Sequence, residues 1–189
     1  MSGHRVRGTG IMVLALIPAG LGLSACGNLV DMNDYDYRGG LALGMNEAGD
    51  VIAHIEACDY RVNAVEIVQG RELLGGEPNP TLGRIVTDSP QSGRFEVNLS
   101  HPQAPWRAEQ PLTEPPNPDH IMIVDPRSDG SVSRKIEVIR QEAASRTDLE
   151  ALEPGEGIIN VWNPDREMNE DPLIDEIVRL DEFAPECPA

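Results

Sequence analysis

The sequence predicts an all-β fold, a single antiparallel sandwich of two sheets with one short helix and a proline-rich loop. Short apolar runs separated by turn residues follow one another along most of the chain, a pattern typical of antiparallel strands. Aromatic residues make up only 4% of the sequence. Two cysteines, Cys58 and Cys187, lie near the two ends of the region that carries these runs. Together these observations favour a sandwich of immunoglobulin-like type.

The clearest strand signals lie in the first half of the chain. Apolar runs at residues 41–45 and 51–55 flank the turn-rich residues 46–50, which predicts a β-hairpin. Residues 93–99 alternate between apolar and polar side chains, which predicts a strand with one buried face and one face in water. Further strands are predicted at residues 62–68, 82–86, 120–124, 132–140 and 158–162.

One short helix and one tight turn are predicted in the second half. The Thr-Asp-Leu-Glu pattern at residues 147–150 is a capping box, and the Pro-Gly pair at 154–155 ends the helix that it begins. Residues 125–130, Asp-Pro-Arg-Ser-Asp-Gly, predict a hairpin turn between the strands at 120–124 and 132–140.

The segment 173–180 fits two structures. A helix would place several of its apolar side chains on one face, whereas a strand would alternate them between two faces. We favour a strand that ends in a turn at 181–183, because Cys187 must reach a partner in a sheet.

Residues 101–119 contain six prolines, which exclude a central strand or a helix and predict an extended connection. Trp106 lies within this stretch and has two interpretations. A tryptophan on a rigid loop can bind a partner, which makes Trp106 a candidate partner-binding residue. Alternatively, its side chain folds back over the hydrophobic core.

The chain begins with the three parts of a secretory signal. His4, Arg5 and Arg7 precede an apolar run at residues 11–23, and no acidic residue occurs before Asp31. A membrane-spanning helix needs about 20 apolar residues, so this run is too short to be a permanent anchor.

Leu23-Ser24-Ala25-Cys26 follows and resembles the lipobox of bacterial lipoproteins. The resemblance implies a diacylglyceryl group on the Cys26 sulfur, cleavage before that residue, and anchoring on the extracytoplasmic face of the cell membrane. Two acyl chains, at ~0.8 kcal/mol per buried CH₂, hold a protein firmly. The predicted organisation is a signal peptide at 1–25, a lipidated polar tether at 26–38 and a β-sandwich domain at 39–189. An ordinary signal peptide is the alternative.

The chain is strongly acidic, with a formal net charge of −17. Removal of residues 1–25 takes away two arginines and no acidic residue, so the mature chain is more acidic still. Such a surface repels nucleic acid and favours solubility, cations or basic partners.

Three cysteines occur in the sequence, and lipidation accounts for Cys26. Cys58 and Cys187 then remain as a pair in an oxidising compartment, which predicts one disulfide. In the chain-entropy model, closure of so long a loop stabilises the fold by roughly 4–5 kcal/mol.

Sequence motifs of catalysis are absent: there is no Gly-x-Ser-x-Gly, no phosphate-binding glycine loop and no His-Glu-x-x-His. The sequence therefore predicts no catalytic residue, no metal site and no cofactor. His54, His101 and His120 are isolated from one another along the chain. The acidic stretch at 31–36 is interpreted as a solvated linker, since it lacks the glycine and the terminal glutamate of a calcium loop. The acidic stretch at 163–171 is interpreted as a solvated loop, because such clusters are common in acidic proteins, and calcium binding there is the alternative.

Short pieces of the mature chain resemble small secreted proteins and lipoproteins of actinobacteria, many of unknown function. They are the hairpin closing at Cys58, residues 82–85, residues 147–149 before the Pro-Gly pair, and residues 181–183 before Cys187. The resemblance implies a common β scaffold. The leading hypothesis is a noncatalytic envelope lipoprotein that presents an acidic β domain to a protein or cell-wall partner. The alternatives are a small-ligand or cation carrier at the membrane surface and, third, a hydrolase.

Overall fold

Two five-stranded antiparallel sheets form the body of the fold in the computed structural model, which describes residues 35–70, 79–128, 136–163 and 173–187. The strands are β1 Tyr35–Tyr37, β2 Gly40–Met45, β3 Val51–Glu56, β4 Val62–Gln69, β5 Thr81–Gln91, β6 Arg94–Asn98, β7 Arg107–Gln110, β8 Ile121–Arg127, β9 Ile136–Val138, β10 Glu142–Ser145, β11 Glu156–Trp162 and β12 Leu173–Arg179, with one helix, α1 Arg146–Glu150.

Sheet I has the strand order β12-β11-β2-β3-β6, and sheet II has the order β10-β8-β4-β5-β7. The predicted all-β sandwich of two sheets is confirmed. The order β2-β3-β6 opposite β10-β8-β4-β5 corresponds to strands A-B-E and G-F-C-C′ of the immunoglobulin arrangement. Strands β7, β11 and β12 extend the two sheets beyond that arrangement.

The core lies between the two sheets and is built from aliphatic side chains of both. Val97 and Leu99 are buried while Glu96 is exposed, so the alternation predicted for residues 93–99 is confirmed. Each fully buried aliphatic side chain contributes roughly 1.5–3 kcal/mol through loss of apolar surface from water. The largest fully buried side chains include Leu41, Leu43, Ile55, Ile67, Ile85 and Ile139.

The predicted hairpin turn at 125–130 is wrong, because β8 continues to Arg127. Pro126 pairs with Val65 of β4 on one side, while β10 flanks only residues 121–124 on the other. A proline is tolerated in a strand where its missing N–H has no ladder partner.

The predicted partner of β8 is wrong as well, because β8 pairs with β10 instead of a strand at 132–140. Strand β9, within that range, pairs in parallel with β1, which lies in the stretch interpreted as a tether. Residues 129–135 lie outside the described residues.

The helix begins two residues earlier than the sequence predicts. Ser145 is the N-cap: its Oγ accepts from the Asp148 N–H at 3.1 Å, and the Asp148 carboxylate accepts from the Ser145 N–H at 3.2 Å. Thr147, the predicted cap, instead donates from its Oγ1 to Asp119 at 2.6 Å. The end of β10 supplies the cap because Ser145 still has extended backbone geometry there.

The proline-rich stretch contains no central strand, as predicted, but the proline-free residues 107–110 form the edge strand β7. The final segment is a strand, β12, as favoured. The predicted acidic loop at 163–171 lies, except for Asn163, outside the described residues.

Candidate functional site

Trp106 lies in the core. Its side chain is 6% exposed, and its ring stacks on Phe95 with the ring centroids 5.9 Å apart. This is the second of the two interpretations drawn from the sequence. A direct role of Trp106 in binding a partner stays a prediction; the residue lines a cleft.

That cleft has a volume of about 740 Å³, within the range of small-molecule sites. It is bounded by the β2–β3 turn, β3, β6, the segment before β7 and the turns after α1. Its apolar lining comprises Met45, Ile52, Phe95, Pro105, Trp106, Leu149, Leu152 and Leu180, together with Ala104 and Pro154.

The charged lining of the cleft is acidic. The carboxylates are Glu47, Glu96, Glu150 and Glu153, and His54 is the single basic side chain among the described residues that line it. Carboxylates around a concave apolar surface concentrate the negative field and attract cations.

His54 pairs with Glu96, its neighbour across the β3–β6 ladder. Nδ1 of His54 lies 3.1 Å from Oε1 of Glu96. Burial lowers the pKa of His54, and the nearby carboxylate opposes this shift only in part. Burial therefore favours the neutral imidazole.

A second histidine–carboxylate pair lies at the β2–β3 turn. Nδ1 of His101 is 2.8 Å from Oδ1 of Asp50, and the Asn98 amide donates to Oδ2 of Asp50 at 2.7 Å. Hydrogen bonds from Asn98 and then from His101 lower the pKa of Asp50. These hydrogen bonds favour the ionised carboxylate, which pairs with the exposed His101 ring.

The hydrolase hypothesis requires a histidine that meets a carboxylate or a serine in a cleft, and the His54–Glu96 pair lines the cleft described above. Among the described residues, no hydroxyl or thiol hydrogen bonds to the imidazole of His54 or His101. Ser100, adjacent to His101 in the chain, accepts the Val51 N–H on its Oγ at 3.1 Å. His120, the remaining histidine among the described residues, contacts the Gln69 amide at 3.1 Å. The arrangement can hold a proton or a cation, but it lacks an activated nucleophile within the described ranges.

Cys58 and Cys187 form a disulfide with their Cα atoms 5.7 Å apart, as the sequence predicts. Glu56 lies next to them, and the three side chains have the spacing of a metal site. Both sulfurs are bonded to each other, so they are not available as metal ligands in this state.

The disulfide holds the C-terminal segment against the outer face of sheet I. A Cβ on Gly157 would lie 2.7 Å from Leu180, and one on Gly40 would lie 2.9 Å from Pro185. These two glycines leave room for the segment. The Arg94 guanidinium also donates to the Phe183 carbonyl at 2.5 Å.

A group of exposed apolar side chains lies on β11 and β12. Trp162 and Ile177 are each 61% exposed, and Leu173 is 43% exposed. Trp162 is the cross-strand neighbour of Leu173, and buried Ile158 is the neighbour of Ile177, so all lie on the core-facing side of sheet I. We call Trp162, Leu173 and Ile177 the β11–β12 face.

The β11–β12 face begins where the cover from sheet II ends. The Ala143 N–H of β10 donates to Oδ1 of Asn160 at 2.7 Å, while Trp162, two residues further along β11, is exposed. Sequence reasoning missed this surface. The alternation within residues 173–179 places Leu173 and Ile177 on one side, but it does not reveal which side is covered.

No protein-family model, curated protein or solved structure matches this chain. In the described part of the chain, no helix has both the length and the apolar character needed to span a membrane.

Proposed function

We propose that this protein is a noncatalytic lipoprotein, held at the extracytoplasmic face of the membrane by a diacylglyceryl group on Cys26, and that its β domain binds a partner protein. The lipobox-like Leu23–Cys26 sequence supports the anchor, and Cys26 lies outside the described residues. The Cys58–Cys187 disulfide suits an oxidising compartment outside the cytoplasm.

The observation that carries partner binding is the β11–β12 face. Single exposed apolar residues are ordinary on protein surfaces, but three large ones grouped on one side of two paired strands mark an interaction site. Tryptophan is enriched among the residues that contribute most to protein interfaces.

The test is photocrosslinking on intact cells with a photoreactive amino acid placed at Trp162, followed by mass spectrometry. The matched control carries the same amino acid at Ile121, which is 48% exposed on sheet II. Enrichment of one envelope protein from position 162 and not from 121 supports the proposal. Crosslinks only to cell-wall fragments, or the same abundant proteins from both positions, would overturn it.

The anchor has a separate test. Cys26→Ser removes the sulfur that carries the diacylglyceryl group, so the variant should leave the membrane fraction. A variant that stays in that fraction to the same extent as the native chain contradicts lipid anchoring through Cys26.

A second candidate function, a carrier of a small organic cation, is favoured by the cleft of about 740 Å³ with its acidic lining. A ligand at 100 times its Kd stabilises the folded state by ~2.7 kcal/mol. Melting curves with a panel of organic ammonium compounds and with calcium therefore test it, with Glu96→Gln as the variant expected to reduce the shift. Unchanged curves across the panel count against a carrier.

A further inference from the structure

We propose that β12 is a docking edge for an extended, basic segment of a partner protein, which adds a sixth strand to sheet I and packs its apolar side chains on the β11–β12 face. This inference rests on the proposed partner-binding function and specifies the chemistry and geometry of the partner.

The backbone of β12 is suited to accept another strand. It is the edge strand of sheet I and pairs with β11 in regular register from Leu173 to Arg179. The Leu180 N–H donates to the Gly155 carbonyl of the β11 side at 2.9 Å. Because the direction of these bonds alternates along an antiparallel strand, the N–H groups of Ile177 and Arg179 point away from β11. They are donors for an added strand.

The side chains of β12 protect this edge only against acidic strands. Natural edge strands are commonly protected by proline, by charged side chains or by a bulge. The sequence of β12, Leu-Ile-Asp-Glu-Ile-Val-Arg, contains no proline and no lysine, its register with β11 shows no shift, and two of its three charged residues are acidic. The edge strand of sheet II, β7, has the contrasting sequence Arg-Ala-Glu-Gln, with alanine as its one apolar residue.

The charge of this edge selects a basic partner. Asp175 lies between Leu173 and Ile177 on the same side of β12, and Glu176 is exposed on the other side. Arg179, the cation of the strand, lies 3.5 Å from Asp181. A second copy of this chain, with its net charge of −17, would bring carboxylates against carboxylates. A basic segment instead meets complementary charge at Asp175 and Glu176.

The binding test uses the full-length chain in detergent and fluorescently labelled nine-residue peptides. The probe peptide alternates lysine and valine. The first comparison peptide alternates glutamate and valine. The second has the lysine–valine sequence with N-methyl groups on alternate backbone nitrogens. We expect the lysine–valine peptide to bind at least tenfold more tightly than either comparison peptide. Its affinity should fall as NaCl is raised.

Two variants locate the site. Ile177→Ser should weaken the lysine–valine peptide at least tenfold, whereas Ile121→Ser, a matched exposed isoleucine on sheet II, should leave its affinity unchanged. Glu176→Lys should weaken the lysine–valine peptide and strengthen the glutamate–valine peptide. Melting curves of all three variants establish that the fold is retained, and the charge-reversal result remains decisive if the serine variant is unstable.

Equal binding of basic and acidic peptides, insensitivity to N-methylation, or an unchanged affinity in Ile177→Ser would each overturn the inference. Dimerisation through position 177 without peptide binding would also overturn the inference, because the occupant of the edge would then be a second copy of this chain. Peptide binding without any envelope partner crosslinked at 162 contradicts the proposed function and leaves the edge chemistry intact. A partner crosslinked at position 162 without peptide binding supports the proposed function and overturns the inference about the β12 edge.

Discussion

The Asn160 N–H of β11 donates to the Glu142 carboxyl group of β10 at 2.5 Å, so a buried acidic side chain joins the two sheets. The Asn160 side chain completes the junction: it donates to the Ala143 carbonyl at 3.1 Å and to Asp175 of β12 at 2.8 Å. The β11–β12 pair is therefore held to sheet II through a polar contact next to the exposed β11–β12 face.

The first prediction is a pH dependence of stability that comes from Glu142. Burial raises its pKa to about 8, with the Asn160 N–H and Arg140 opposing the shift and Asp175 adding to it. The unfolded value is 4.5, so the folded state binds more protons between these two values and the free energy of unfolding falls as pH rises through that window.

The measurement is the melting temperature of the native chain and of Glu142→Gln from pH 4.5 to 8. The amide keeps an acceptor for the Asn160 N–H and cannot ionise. The melting temperature of Glu142→Gln should rise relative to that of the native chain as pH rises. Subtracting one melting temperature from the other cancels the contribution of His54, whose lowered pKa changes stability with pH in the opposite direction. Parallel curves would contradict the assignment.

The second prediction compares the two tryptophans. Trp106→Ala should lower the free energy of unfolding by about 3–5 kcal/mol, because a large buried side chain leaves a cavity. Trp162→Ala should change it by less than about 0.5 kcal/mol, because that side chain is largely in water. Urea unfolding measures both, and similar losses in the two variants would contradict the placement of the rings.

The third prediction uses two glycines with nearly the same backbone conformation. Gly39 and Gly93 have φ angles of +64° and +67°. A Cβ on Gly39 would lie 1.7 Å from the Glu56 carbonyl oxygen, whereas one on Gly93 would meet nothing within 4 Å. Gly93→Ala should therefore cost only the conformational strain of about 1–2 kcal/mol.

Gly39→Ala adds a backbone clash to the same strain, so its cost should exceed that of Gly93→Ala by on the order of 2 kcal/mol or more. Thermal unfolding of the two variants side by side gives the comparison. Equal costs would mean that the approach of Gly39 to Glu56 is not a constraint on the fold.

The fourth prediction concerns the disulfide. Reduction, or the pair Cys58→Ser with Cys187→Ser, should lower the free energy of unfolding by roughly 4–5 kcal/mol in the chain-entropy model. It should also release the segment 180–187 from sheet I, which limited proteolysis followed by mass spectrometry detects. Unchanged cleavage near Phe183 after reduction would show that the packing on Gly40 and Gly157 holds this segment by itself.

Local patterns were enough for much of the secondary structure. The hairpin of β2 and β3 and the alternation of β6 follow from turn chemistry and from a side-chain period of two, which are properties of neighbouring residues. The disulfide followed from the number of cysteines and from the compartment that the sequence predicts. The pairing of β8 with β10 did not follow from local patterns, because strands that are distant in sequence can also pair with β8.

The two tryptophans mark the boundary between what sequence and tertiary structure decide. The sequence by itself determined that this chain forms an acidic, antiparallel β fold, and it drew attention to Trp106 because prolines surround that residue. Only the tertiary structure decided that Trp106 is covered and Trp162 is exposed, since exposure depends on which strands of the opposite sheet lie over a residue. The β11–β12 face shares this origin, because it begins where the cover from sheet II ends.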